Sequence, residues 1–271
     1  MFYLIGLGLF DEKDVTVRGM EEAFYGREII LADRDMVETE SDAILEGAAE
    51  QDVALLVVGD PLGATTHTDI ILRAREMSIP TQVVHNASIM NAVGATGLQL
   101  YNFGQAVSIP FWTENWKPDS WLARIEENYK LGLHTLVLLD IKVKEQSEEN
   151  LLRGRKIYEP PRYMSPTVAL SQIISAIETA LSGSSESSIS LSPEGSLAIT
   201  LSRVGSSTQK LVAGTLAELA SQPPETFGDP LHAMVVVGRR LHPLEIDYAG
   251  IWAVDRGSWE RVAREVYGVK D

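Results

Sequence analysis

Short apolar runs alternate with longer amphipathic or polar stretches through the first half of the chain. The predicted β-strands are Tyr3–Gly6, Glu28–Ala32, Val53–Val58, Thr81–His85, Ala106–Ile109 and Thr135–Asp140. Several of these runs are apolar at consecutive positions, which is typical of strands buried on both faces of a parallel sheet. Helices are predicted between the strands, at Thr68–Met77 and from the capping-box spacing of Thr39–Asp42 to about Glu50. The alternation favours an α/β fold with parallel strands.

The second half of the chain has a different pattern. Its predicted elements are a helix at Val168–Leu181, strands at Ser196–Arg203, Gln209–Ala213 and Met234–Gly238, and a helix at Thr215–Ser221. The Ser/Gly-rich tract Ser182–Ser190 is expected to be a surface loop. Arg155–Met164 is rich in Pro, Tyr and charge, so we interpret it as a connector. We therefore predict two α/β domains, residues 1–145 and residues 146–271.

Composition narrows the classes of function. The 271 residues are 45% hydrophobic and 23% charged, as in an ordinary globular protein. The net charge of −15 argues against nucleic-acid binding by phosphate neutralisation and against attachment to anionic lipid. Cysteine is absent, which excludes disulfides, thiolate metal sites and cysteine nucleophiles, and the five scattered histidines predict no metal site. No apolar run is long enough to span a bilayer, and Met1–Leu9 lacks the features of a signal peptide. The expectation is a soluble cytoplasmic protein.

Two glycines follow the first predicted strand, in Leu4-Ile-Gly-Leu-Gly-Leu9. Glycine at this point permits positive φ and lets a ligand approach the backbone closely. A dinucleotide-binding fold would need a third glycine opening a helix, whereas Phe10, Asp11 and Glu12 follow here. Dinucleotide binding is therefore disfavoured, while a tight turn and a ligand-binding loop stay equally open.

A second loop, Gly59-Asp-Pro-Leu-Gly63, follows the predicted strand Val53–Val58. The carboxyl ends of parallel strands are where such folds bind ligands. Asp60 could accept hydrogen bonds from an amine or a ribose hydroxyl. The alternative is an Asx turn that caps the next helix, which is the favoured interpretation for Asp60 alone. The surrounding Gly59, Pro61 and Gly63 favour a functional loop.

A third loop begins where the strand Thr81–His85 runs into Asn-Ala-Ser-Ile. Its small residues leave room for a bound molecule, and Ser88 could contact it. His85 and His134 are interpreted as packed, hydrogen-bonded histidines rather than catalytic bases. The sequence contains neither a G-x-S-x-G elbow nor a P-loop, so no catalytic residue is assigned. The three loops are expected to converge on one edge of one sheet.

In this order, the three loops resemble the tetrapyrrole-methylase class of S-adenosylmethionine-dependent methyltransferases. Further segments resemble the diphthine synthase family: Thr135–Gln146, Gly154–Met164, Leu231-His232 and Leu241–Glu245. Each motif alone is weak, but the ordered set covers nearly the whole chain and is specific. The resemblance implies two α/β domains with S-adenosylmethionine in the cleft between them, usually in a homodimer. It also implies methylation of the modified histidine of translation elongation factor 2, on its amino nitrogen and its carboxylate, during diphthamide synthesis.

The resemblance further implies cofactor contacts at Leu9, Asp60, Gly63, Ser88, Ile89, Leu139, Val204 and His232. Several of these would act through backbone atoms. A sulfonium methyl group is already activated, so its transfer requires placement of the acceptor more than acid–base machinery. Tyr158, Arg162 and Tyr163 are candidate substrate-facing residues, with packing between domains an equal alternative.

The chain departs from this family after Gly19. Family members have a helix and a strand between the first cofactor loop and Phe-Tyr-Gly-Arg, whereas Thr16–Gly26 joins those ends directly here. We interpret the difference as a skipped exon or an engineered deletion, which would impair cofactor binding and activity. Two alternatives follow: a catalytically impaired cofactor-binding protein, and a small-molecule (tetrapyrrole) methylase of the same fold.

Overall fold

The computed structural model of the chain describes residues 1–9, 30, 32, 34–143, 145–155, 157–183 and 189–269. They form two compact units, one of Met1–Ala92 with Val204–Ser207 and the other of Val93–Arg203 with Thr208–Asp271. The departure predicted after Gly19 lies outside the described residues. So do most of the strand predicted at residues 28–32 and most of the loop predicted at residues 182–190.

The first unit contains a three-stranded parallel sheet in the order β2-β1-β3. Its elements are β1 (Phe2–Gly6), α1 (Arg34–Glu38), α2 (Ser41–Leu45), β2 (Val53–Val57), α3 (Thr68–Glu76), β3 (Thr81–Val84) and α4 (Ile89–Ala92). Phe2 and Leu4 are buried in a core with Leu45, Ile70 and Ile79. Burial alternates along β1, because successive side chains point to opposite faces of a strand. The prediction that the strands of this sheet are buried on both faces is therefore wrong.

The helix predicted to begin near Ser41 is shorter than expected, since it ends at Leu45. Glu40 is its N-cap and makes no side-chain capping hydrogen bond, so the capping box predicted from Thr39 is wrong. Gly47 follows with a φ of +77°, a left-handed conformation that ends helices.

The second unit contains a five-stranded mixed sheet in the order β4-β5-β10-β8-β9 and a two-stranded sheet of β6 and β7. Its strands are β4 (Val107–Ile109), β5 (Thr135–Leu139), β6 (Ile141–Lys142), β7 (Arg162–Tyr163), β8 (Leu197–Ser202), β9 (Lys210–Thr215) and β10 (His232–Val236). Its helices are α5 (Ser120–Leu131), α6 (Glu148–Leu152), α7 (Pro166–Gly183), α8 (Leu216–Ala220), α9 (Pro243–Ala249) and α10 (Arg256–Glu265). Short 3₁₀ turns lie at Val93–Thr96, Leu100–Asn102, Pro224–Phe227 and Gly250–Trp252. Every residue of β8 is buried.

Strands β4 and β5 belong to this second sheet, although their apolar runs predicted a place in the N-terminal parallel sheet. β5 pairs antiparallel with β10, with Val137 opposite Met234. The compact units consequently divide the chain differently from the predicted domains 1–145 and 146–271. Among the described residues, no helix combines the length and the apolar character needed to cross a membrane.

Candidate functional site

The loops that follow β1 and β2 remain paired beyond the end of the sheet. The Leu7 N–H donates to the Val57 carbonyl at 2.8 Å, and Gly8 and Gly59 exchange two backbone hydrogen bonds of 3.1 and 2.7 Å. Gly8 and Gly59 have φ values of +84° and +81°, which residues with a side chain rarely adopt. The two glycines therefore let the first and second loops run side by side.

Asp60 ties the second loop to the third. Its Oδ1 accepts the Leu62 N–H at 2.8 Å, and its Oδ2 accepts the Asn86 N–H at 3.2 Å and lies 2.8 Å from His85 Nδ1. Burial alone would raise the pKa of Asp60, but the hydrogen bonds from Leu62, His85 and Asn86 lower it below the ordinary value. The carboxylate is thus ionised at neutral pH. One oxygen of Asp60 thus forms the Asx turn to Leu62, and the other binds the third loop. The turn does not cap the next helix, whose N-cap is His67, and a ligand contact at Asp60 stays a prediction.

Asn86 connects the third loop back to the first. Its Nδ2 donates to the Gly6 carbonyl at 3.1 Å, and its Oδ1 accepts the Ala87 N–H at 2.8 Å. A Cβ on Gly6 would lie 2.7 Å from the Gly59 carbonyl oxygen, so only glycine allows this approach. The contacts of Gly6, Asp60 and Asn86 form what we call the three-loop hub. Sequence reasoning assigned Asn86 no role, since asparagine just after a strand is common in ordinary turns.

Gly63 and Ser88 also meet. A Cβ on Gly63 would lie 2.8 Å from the Ser88 Oγ, so the loops approach closely here as well. The Ser88 side chain is buried, and its Oγ accepts the Met90 N–H at 3.3 Å. The Ser88 N–H donates to Asn91 Oδ1 at 2.8 Å. Ile89 opens α4 and is partly buried.

The first unit holds most of the predicted cofactor-contact residues: Leu9, Asp60, Gly63, Ser88, Ile89 and Val204. A Cβ on Gly205 would lie 3.9 Å from the Leu9 Cβ, so the short segment Val204–Ser207 lies beside the first loop. Val204 itself is buried.

Leu139 and His232 lie in the second unit, at one end of the five-stranded sheet. Ala233 of β10 lies opposite Leu138 of β5, and the register places His232 beside Leu139. His232 Nε2 is 3.1 Å from the Gly228 carbonyl oxygen, to which it donates. Burial lowers the pKa of His232 despite the opposing effect of that carbonyl. The imidazole is therefore neutral at neutral pH.

The two histidines predicted to be packed differ. The Gly238 N–H donates to His134 Nδ1 at 3.0 Å, so the ring carries its proton on Nε2, which lies 3.2 Å from Glu245 Oε1. His134 is fully buried, as predicted. His85 is hydrogen-bonded to Asp60, but its side chain is 65% exposed, so the prediction that His85 is packed is wrong.

The hub offers a ligand such as S-adenosylmethionine an ionised hydrogen-bond acceptor, the Asp60 carboxylate. Gly8, Gly59 and Gly63 let the first and second loops pack closely on the third, since a Cβ on each would lie 2.8–3.5 Å from Asn86 or Ser88. A carboxylate has about four lone-pair positions, and the described residues fill three of those on Asp60, which leaves one for a donor on a ligand. An ionised carboxylate also favours a cationic ligand. In the described ranges, no group of three or more His, Asp or Glu side chains is placed to hold a metal ion.

Comparison with known proteins defines the class. The sequence model of the Tetrapyrrole (Corrin/Porphyrin) Methylases matches residues 31–220, so the chain belongs to the tetrapyrrole methylase family and is a methyltransferase. It is 51% identical to the diphthine methyl ester synthase of Schizosaccharomyces pombe over 97% of this chain and 98% of that protein. Identity to the Mus musculus diphthine methyl ester synthase is 50%, over 94% of this chain and 97% of that protein. A crystal structure of diphthine synthase matches with a TM-score of 0.74 and 27% identity, covering 97% of this chain and 100% of that chain. Within its family, the chain belongs with the diphthine methyl ester synthases.

The same comparisons bear on the length of the chain. The match to the Schizosaccharomyces pombe protein runs over 288 positions, whereas 97% of 271 residues is about 263, so about 25 positions have no counterpart here. The match to the Mus musculus protein runs over 278 positions, whereas 94% of the chain is about 255, which leaves about 23. Both shortfalls agree with the shortening predicted from the sequence, whose position after Gly19 stays a prediction.

Proposed function

We propose that this chain uses S-adenosylmethionine to methylate the modified histidine of translation elongation factor 2, on its amino nitrogen and its carboxylate, during diphthamide synthesis. The single observation that carries the proposal is the 51% identity to a diphthine methyl ester synthase across almost the whole chain. The three-loop hub supports it, because the hub joins the loops that hold Asp60, Gly63 and Ser88. A cytoplasmic location and a homodimer are part of the proposal and rest on the family resemblance.

The residues of the first unit would hold the cofactor. Asp60 offers an ionised acceptor, while Gly63 and Ser88 fix the spacing of the second and third loops. In the second unit, Leu139 and the neutral His232 would present an uncharged surface. Bound S-adenosylmethionine supplies an already activated methyl group.

The two methyl acceptors, the carboxylate and the amine, differ in whether they must lose a proton before they react. A carboxylate is ionised at neutral pH and needs only to be positioned, whereas an ammonium group must first lose its proton. Positioning within bonding distance accounts for much of the rate of such transfers. Positioning therefore suffices for the carboxylate, whereas the amine also needs a proton acceptor, a role to which no residue is assigned.

The test combines binding and turnover. Isothermal calorimetry measures the affinity for S-adenosylhomocysteine, and labelled methyl transfer is measured to elongation factor 2 that carries the unmethylated precursor side chain. We expect tight binding and incorporation of label at that histidine. Incorporation into a tetrapyrrole instead of the protein would contradict the proposal.

One observation favours a second candidate, a cofactor-binding protein with impaired catalysis. About 25 positions of the Schizosaccharomyces pombe relative lack a counterpart in this chain. The same assays decide between the two candidates when run beside a version that carries those positions of the relative after Gly19. Cofactor binding by both versions, with methyl transfer by the lengthened version alone, would establish the second candidate.

A further inference from the structure

Two cations lie directly opposite each other in the small sheet of β6 and β7. The ladder has only two residue pairs, Ile141 with Tyr163 and Lys142 with Arg162. Directly opposite residues of an antiparallel pair point to the same face, and like charges in that position destabilise the pair. In a chain with a net charge of −15, this arrangement calls for a reason. Glu145 and Asp140 compensate part of this charge, and an anion that binds both cations would compensate the rest.

Arg162 is held so that part of its guanidinium stays open. Its Nε and Nη2 lie 3.0 and 2.6 Å from Glu145 Oε2, and its guanidinium carbon lies 4.9 Å from the centre of the Phe111 ring. Both bonds go to one carboxylate oxygen, which leaves three of the five N–H donors of the fork for another acceptor. The side chain is 56% exposed. Arg162 is therefore oriented by two neighbours and still able to bind a ligand.

The Lys142 ammonium is held less closely by neighbouring side chains than the Arg162 guanidinium. Its Nζ lies 3.6 Å from Asp140 Oδ2, which is beyond hydrogen-bond distance, and that oxygen already accepts the Phe111 N–H at 3.0 Å. Within the described part of the chain, the ammonium therefore makes only a loose ion pair. β6 also begins just two residues after Leu139, one of the predicted cofactor-contact residues.

We propose that Lys142 and Arg162 form a clamp for the carboxylate of the substrate side chain. This inference rests on the proposed function, in which the substrate carries an amine and a carboxylate. The planar fork of Arg162 matches the geometry of a carboxylate, and Lys142 adds a second charge from the same face. Tyr163, predicted as substrate-facing, is the neighbour of Arg162 on β7 and is partly exposed.

The clamp would bind the substrate side chain and its esterified product with different strengths. An unesterified carboxylate keeps its negative charge through methylation of the amine, so the side chain stays bound. Conversion to a methyl ester removes that charge, and both ion pairs are lost. The clamp therefore binds a side chain with a free carboxylate more tightly than a side chain whose carboxylate is already a methyl ester.

The test compares four variants of the full chain: Arg162→Ala, Arg162→Lys, Lys142→Ala and the matched control Arg153→Ala. Arg153 has the same 56% side-chain exposure and directly follows α6. Its Nη1 lies 3.0 Å from Glu149 Oε1. Steady-state methyl transfer gives KM and kcat for the protein substrate, and calorimetry gives the affinity for S-adenosylhomocysteine. Binding of the precursor-bearing protein is measured separately, in the presence of S-adenosylhomocysteine, by biolayer interferometry.

We expect Arg162→Ala and Lys142→Ala each to raise KM and weaken protein binding by about tenfold, the usual effect of losing a charge-assisted hydrogen bond. Arg162→Lys should fall between Arg162→Ala and the parent, and Arg153→Ala should match the parent. Affinity for S-adenosylhomocysteine and the thermal unfolding midpoint should stay unchanged in all four. A protein substrate already carrying the methyl ester should bind the parent and Arg162→Ala equally.

Two results would overturn the clamp: an unchanged KM and unchanged protein binding in Arg162→Ala, or a parallel loss of cofactor affinity in the same variant. Absence of methyl transfer by the parent would count against the proposed function instead. In that case the binding assay still tests the clamp, because the parent should bind the precursor-bearing protein more tightly than Arg162→Ala does. Failure of the parent to bind that protein at all would reject both.

Discussion

The Asp60→Asn substitution tests whether the three-loop hub holds the cofactor loops together. Asparagine has nearly the same shape but only one acceptor oxygen. If that oxygen keeps the Leu62 N–H, the amide nitrogen faces the Asn86 N–H, which it cannot accept. The second loop then loses the hydrogen bond from the Asn86 N–H of the third loop.

The magnitude follows from the bonds that are lost. A hydrogen bond to a charged group is worth about 1.5–3 kcal/mol, and the bond from the Asn86 N–H to Asp60 is of this kind. The bond to His85 counts for little, because the His85 side chain is 65% exposed. A net loss of about 2 kcal/mol corresponds to about thirtyfold weaker binding of a ligand that needs the ordered loops.

The assay is calorimetric titration with S-adenosylhomocysteine, beside urea unfolding followed by circular dichroism. Asp52→Asn is the matched control, since Asp52 is in the same unit, is 73% exposed and pairs with the chain's amino terminus at 3.5 Å. The affinity should fall about thirtyfold for Asp60→Asn and stay unchanged for Asp52→Asn.

The pH dependence gives a second criterion for Asp60. Its pKa is lowered in the folded chain, so its stabilising contribution is complete above the unfolded pKa and is lost as the pH falls through the folded one. The difference between the parent and Asp60→Asn should therefore be constant from pH 6 to pH 8 and shrink only in acid. An affinity within twofold of the parent, or a difference that disappears between pH 8 and pH 6, would refute the reasoning.

Three further substitutions have defined outcomes. Asn86→Ala removes the bond to the first loop and should weaken S-adenosylhomocysteine binding by about tenfold in calorimetry; parent-like affinity would show that the bond is dispensable. Gly63→Ala places a Cβ 2.8 Å from the Ser88 Oγ and should weaken S-adenosylhomocysteine binding. The double variant Gly63→Ala with Ser88→Ala should recover part of that affinity, because the clashing oxygen is gone. No recovery would show that this contact is not the cause. Glu245→Ala leaves three hydrogen-bond donors without their carboxylate, among them buried His134, and should cost about 3–5 kcal/mol in urea unfolding; a loss below about 1 kcal/mol would contradict this.

The parallel loops of the first unit could be predicted because their signals are local. An apolar run of four to six residues predicts each strand, and the glycines after β1 and β2 mark where these two strands end. The strands predicted to begin at Tyr3, Val53 and Thr81 are confirmed to within one residue at each end. Asp60 could be singled out because Gly59, Pro61 and Gly63 surround it at the end of such a strand.

The partners of β4 and β5 could not be predicted in the same way. An apolar run such as Thr135–Leu139 suits a buried strand in either sheet, and nothing within it specifies pairing with β10, almost a hundred residues later. Continuous burial also proved typical of the mixed second sheet, where helices cover the strands, rather than of the parallel first one. The opposition of Lys142 and Arg162 depends on a register of two residues that no sequence pattern reveals.

The shortening of the chain and the geometry of the hub bear on different steps of the proposed reaction. Every hydrogen bond described above for the hub joins residues of the segments 6–8, 57–62 and 85–87. The clamp residues Lys142 and Arg162 belong to the second unit. If these loops bind the cofactor as proposed, we expect binding to persist in a chain that lacks about 25 positions of its relatives. A loss of turnover with cofactor binding retained would locate the role of the absent positions in a step after cofactor binding, so binding and transfer must be measured separately.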